Sequence, residues 1–141
     1  GPNAEDVERQ IVREQLVAPT VDALHSVMRP GDMPALRRAV RTVHVAESVL
    51  AYAVAVVGAT RSYPGVAIGA STRAAIALVR CAQARTVLQG RPHVLPDDIK
   101  ALAVPVLSHR LVMAGDDGGH ARGQHVISDI ISRVPAPLSG A

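Results

Sequence analysis

A protein core without phenylalanine or tryptophan has to be filled from small pieces. This chain has neither residue, and Tyr52 and Tyr63 are its only tyrosines. Hydrophobic residues still make up 48% of its 141 positions, enough for one domain-sized interior built from Ala, Val, Leu and Ile. Such cores suit closely packed helices. The expected fold is therefore all-α: a single small helical bundle over residues 4–141, with residues 1–3 set aside as a linker remnant and room for a very short extended pairing.

Apolar spacing places the elements. A first helix is expected from Ala4 to Leu16, capped by Asn3, with Val7, Ile11, Val12 and Leu16 on one side. Val17–Asp32 contains Pro19, Pro30 and Gly31 and reads as an irregular connection in which Val21, Leu24 and Val27 tuck inward. Asp32 then caps a short helix through Arg41, with Pro34 in its first turn. Val43-His44-Val45 alternates like an extended segment before a long helix over 46–61, whose apolar positions are Val49, Leu50, Ala53, Val54 and Val57.

After a Pro/Gly loop over 62–69, residues 72–89 are apolar in nearly every direction at their N-terminal end, which predicts a central, buried helix. Gly90 is its expected stop. Pro96, Asp97 and Asp98 mark the next helix start, and Ile99, Leu102, Ala103, Val106 and Leu107 give it a core stripe, with Pro105 expected to kink or divide it. The glycine-rich residues 114–123 read as a flexible loop before a short final helix over 124–134.

Charge and cysteine content narrow the class. The net charge of +3 comes from fourteen Arg and one Lys against twelve acids, and the arginines are scattered without interleaved aromatics, which argues against a nucleic-acid strip. Cys81 is the only cysteine, so no internal disulfide can form; a small buried filler in a reduced, cytoplasmic setting is expected. No run of about 18 apolar residues exists, and no membrane span or signal peptide is expected.

Arg73 is the most informative single residue. It falls in the first turn of the helix that Ser71 and Thr72 open, where about half a positive charge already resides, so Ser71, Thr72 and Arg73 together form a candidate phosphate receptor. An ion pair between Arg73 and Glu47, Asp97 or Asp98 is the competing reading, and the pattern leaves both open. Arg37, Arg38 and Arg41 give the second helix a basic side, either a solvated face or a contact for an acidic protein or nucleic acid. His120, His125, Asp116 and Asp117 lie close in sequence, but their glycine-rich context favours a solvated loop, and no metal is expected. No P-loop, nucleophile elbow or activated Cys/His arrangement is present.

Taken together, Val43-His44-Val45, the helix after it, Tyr63-Pro64-Gly65-Val66-Ala67-Ile68-Gly69-Ala70-Ser71-Thr72-Arg73, the Ala-rich central helix and Val94-Leu95-Pro96-Asp97-Asp98-Ile99-Lys100-Ala101-Leu102-Ala103 followed by His109-Arg110-Leu111 closely resemble the C-terminal lid of MoxR-type AAA+ ATPases. Val126–Pro135 is similar to that family's last helix, and the first helix to the segment that follows its ATPase core. The resemblance implies a helical lid over nucleotide held by a preceding core, with Arg73 as the sensor 2 arginine near the γ-phosphate. It further implies ATP with Mg²⁺ as the complete protein's ligands, and chaperone-like assembly or remodelling of protein complexes. The implied partners are its own core, neighbouring ring subunits and von Willebrand factor A-domain proteins.

Leu95 stands where such lids tend to have a polar cap, and Ala46 where they often have an acid. Each change is expected to weaken a cap by about 1 kcal/mol at most. The core's phosphate loop, Mg²⁺-binding acids and arginine finger have no counterpart here, so this chain alone is expected to bind nucleotide weakly or not at all and to be inactive in hydrolysis.

Overall fold

A computed structural model of the chain describes residues 3–15, 33–115 and 119–138. In chain order they form α1 (Ala4–Gln15), α2 (Met33–Thr42), α3 (Glu47–Arg61), β1 (Val66–Ile68), α4 (Thr72–Leu88), α5 (Pro96–Leu107), a 3-10 turn (Ser108–Arg110), β2 (Val112–Met113) and α6 (Gly119–Arg133). The all-α bundle is present. Its extended pairing occurs at two places: β1 and β2 make an antiparallel ribbon with Ile68 opposite Val112, and His44 forms an isolated parallel bridge with His93. The expectations for residues 16–32, and for Asp116 and Asp117, fall outside the described residues.

The centre is shared by α3 and α4. Val49, Leu50, Ala53, Val54 and Val57 are fully buried on α3, and Tyr52, Val56 and Thr60 join them. Against them α4 sets Ala74, Ala75, Leu78, Val79 and Ala82, and α5 adds Ile99, Ala103 and Leu107. Burying a Val or Leu side chain contributes roughly 1.5–3 kcal/mol, and the intervening alanines let the helix axes come close. Helices α1 and α2 also lie on α4, while α6 closes the far side against α5 and the 3-10 turn.

Two inward faces differ from expectation. On α1 Val12 is fully buried, but Val7 and Ile11 are 45% and 42% exposed, and the second inward residue is Glu8. The helix is rotated so that the i, i+4 pair Glu8/Val12 faces the bundle, because Glu8 has a partner there. Cys81 is exposed, not a buried filler. It sits on the same outward stripe as Ala77, Ala84 and Leu88, away from Leu78 and Ala82.

Helix ends follow local chemistry. Gly90 takes φ +66°, its N–H donates to the Val87 carbonyl, and the Arg91 N–H donates to the Thr86 carbonyl at 2.9 Å. That pair of bonds is a Schellman stop, the role expected of Gly90. Helix α5 runs unbroken across Pro105, which does not divide it. Pro105 lies in the last turn, where it deprives one carbonyl of a donor before the chain tightens into the 3-10 turn.

The final helix is longer than its glycines imply, beginning at Gly119 inside the segment expected to be a flexible loop. Gly123 is the reason: it is buried, and a Cβ there would lie 2.5 Å from the Ser108 carbonyl oxygen. Its missing side chain lets α6 press against the 3-10 turn. Gly123→Ala should therefore destabilise the fold by about 1–3 kcal/mol in a urea titration. Gly119→Ala, with nothing within 4 Å of the added carbon, should be neutral or slightly stabilising.

Candidate functional site

The start of α4 is fixed from several sides before any ligand is considered. Thr60, near the end of α3, donates its hydroxyl to the Val57 carbonyl and accepts the Ala70 N–H at 2.8 Å. Arg61 donates its Nε to the Ala70 carbonyl at 2.9 Å. Gly69 passes so close to Arg61 that a Cβ would lie 2.7 Å from the Arg61 Cα. Ser71 then caps α4 in extended geometry, its Oγ accepting the Ala74 N–H at 3.4 Å.

The remaining nitrogens of Arg61 fork onto Glu8, Nη1 to Oε2 at 2.9 Å and Nη2 to Oε1 at 2.8 Å. Oε1 also accepts the Thr72 hydroxyl at 3.2 Å. Glu8 is only 7% exposed, yet it remains a carboxylate: hydrogen bonding from Arg61 holds its pKa below the ordinary 4.5, against the opposing effect of burial. One anion, an acid of the chain itself, thus already lies beside the first turn. The Thr72 side chain is committed to it.

The Arg73 side chain is exposed and makes no hydrogen bond or ion pair among the described residues. Its competing partners are engaged elsewhere or open to solvent. Glu47 pairs with Arg13 at 2.7 Å, Asp98 pairs with Arg91 and Arg85, and Asp97 is exposed. The structure therefore places Ser71, Thr72 and Arg73 together on one rigid helix start. Of the three, Arg73 alone has a side chain with no partner.

Asp98 is the other carboxylate that shapes this region. It is 2% exposed, takes a forked contact from Arg91, and accepts the Leu95 N–H at 2.7 Å. Leu95 has no acceptor to cap α5 with, so Asp98 performs half of a capping box from inside the helix. Burial raises the Asp98 pKa, but Arg91, the Leu95 N–H and Arg85 outweigh it and hold the group below the ordinary 3.8.

Other residues singled out in the sequence do not converge. Arg37, Arg38 and Arg41 are exposed along α2, and His120 and His125 are exposed on α6. Among the described residues no three His, Cys, Asp or Glu side chains come together as a metal site. Glu8, Arg61, Thr60 and Gly69 were not singled out by sequence. The available signal was an acid at Glu8 in register with Val12, on the side of α1 that faces the bundle.

The two buried carboxylates contribute to the pH dependence of stability. Both pKa values are depressed in the folded state, so the unfolded chain binds more protons at low pH, and stability is complete above the ordinary values and lost below them. The urea midpoint should stay level from neutral to about pH 5.5 and then fall as pH drops through 4.5 and 3.8. Asp98→Asn should lower the neutral midpoint and flatten that acid slope.

Comparison with known proteins agrees with this architecture. The family model described as the AAA lid domain matches residues 58–130. The chain is 36% identical over 121 residues to the uncharacterized protein YeaC of Bacillus subtilis (strain 168), covering 84% of this chain and 37% of that protein. It is 31% identical over 150 residues to chaperone MoxR1 of Mycobacterium tuberculosis, covering 99% and 39%, and 34% identical over 84 residues to protein MoxR of Methylorubrum extorquens, covering 52% and 24%. The chain thus spans less than two fifths of the length of these relatives. No solved structure matches it. With its helical bundle, its matched lid segment and its MoxR relatives, the chain belongs to the AAA lid domain family as the C-terminal lid of a MoxR-family AAA+ ATPase.

Proposed function

We propose that this lid supplies the sensor 2 arginine, Arg73, to ATP held with Mg²⁺ by an ATPase core outside this chain. The observation that carries the reading is an exposed, unpartnered guanidinium on a first helical turn that Thr60, Arg61, Gly69 and Glu8 hold in place. At such a position the helix end adds positive potential, and the first N–H groups lack helical acceptors, so charge developing on a transferred phosphoryl group is stabilised there. The chain's contribution is limited to that contact and to the lever that carries it. Cradling the nucleotide and holding the metal belong to the core.

Coupling follows from rigidity. A cation fixed to a packed bundle moves only with the bundle, so making and losing the phosphate contact turns hydrolysis into rotation of the whole lid against its core. In a ring that rotation is passed to neighbouring subunits and drives chaperone-like assembly or remodelling of protein complexes in the cytoplasm, with von Willebrand factor A-domain proteins among the partners. The name of MoxR1 as a chaperone supports this reading.

Arg73→Ala, made in the lid joined to its ATPase core, should leave the lid's helical content and melting temperature unchanged and reduce ATP turnover by about tenfold or more. Unchanged turnover would overturn the sensor assignment.

A further inference from the structure

Helix α1 is part of the lid's rigid body and not a loose tether. Val12 is fully buried, Arg13 donates to the Val45 carbonyl at 3.0 Å and pairs with Glu47, and Glu8 joins Arg61 and Thr72. Of these residues, Glu8 hydrogen-bonds the first turn of α4. Its carboxylate touches the residue directly before Arg73 and, through Arg61, the backbone at Ala70 directly before Ser71.

We infer that Glu8 is a positioning residue for Arg73: it ties α1 to the start of α4 and so fixes where the Arg73 guanidinium stands relative to nucleotide. Three features distinguish this joint from an ordinary surface ion pair. The carboxylate is nearly excluded from solvent, it meets Arg61 through a two-bond fork whose planar geometry fixes orientation, and its third bond falls on the helix start itself. Glu8→Gln keeps one acceptor oxygen and loses the other, so the Arg61 fork and the Thr72 contact cannot all persist and the tie between α1 and the first turn is weakened. A cation aimed at a phosphoryl oxygen loses rate steeply with small displacement, and about 1 Å can cost a hundredfold.

The inference rests on the sensor reading, and a double-mutant cycle separates the two. In the lid joined to its core, Glu8→Gln, Arg73→Ala and the pair together are compared by kcat, KM for ATP and melting temperature. Expected are a kcat lowered by about tenfold in Glu8→Gln with KM little changed, and a double variant no slower than Arg73→Ala alone. If Glu8→Gln matches the parent, or slows turnover by the same factor whether or not Arg73 is present, Glu8 does not act through Arg73 and the inference falls while the sensor reading stands. If Arg73→Ala alone is without effect, the sensor reading falls and the inference with it. Arg61→Lys, which keeps the charge but loses the fork, carries the same cycle should Glu8→Gln unfold the lid.

Discussion

The two carboxylate oxygens of Glu8 meet the two terminal nitrogens of Arg61 at 2.9 and 2.8 Å, and the relative placement of α1, α3 and α4 depends on that fork. The apolar contacts around it are made by Val and Ala, whose short side chains pack densely but fix rotation and sliding of a helix less firmly than a large aromatic wedge does. A forked hydrogen bond has direction as well as strength. Because the third nitrogen of Arg61 holds the Ala70 carbonyl, the same guanidinium that docks α1 also sets the path of the chain into α4.

The same solution recurs at other helix ends. Asp98 binds the end of α4 to the start of α5 through Arg91, Arg85 and the Leu95 N–H. Tyr63 donates to Asp129, which also pairs with Arg133, so the loop after α3 is joined to α6; Tyr63 holds the Asp129 carboxyl low and is itself pushed up. Gln83 meets the Val43 carbonyl and fastens the segment between α2 and α3 to α4. Small aliphatic residues fill the interior, and polar joints at element ends set its geometry.

Much of the fold was legible because it is local. Ser71 as a cap, Gly90 as a stop and Pro96 as a start each depend on neighbours within a few residues, and α3 and α4 declared themselves by unbroken apolar spacing. What was not legible depends on distant partners. Nothing in the sequence around Glu8 points to Arg61, its partner 53 residues on. Gly123 reads as a loop residue until Ser108 approaches, and Cys81 reads as core until the outward stripe of α4 is known. At the candidate site Arg73 stood out as a misplaced cation. The scaffold that holds it did not, because Thr60, Gly69 and Arg61 are ordinary residues whose effect lies in where the fold brings them.

The separation between Glu8 and Arg61 also bears on how the lid is made. The contact of Arg91 with Asp98, seven residues on, closes a short loop at little entropic cost. The α1 joint spans 53 residues, and during synthesis Glu8 leaves the ribosome well before its partner. Until α3 follows, α1 has neither Arg61 for its charge nor a buried surface for Val12. Docking of α1 therefore closes a far longer loop than the Arg91–Asp98 contact does, and the helix start that carries Arg73 gains its Glu8 contacts only when that loop is closed.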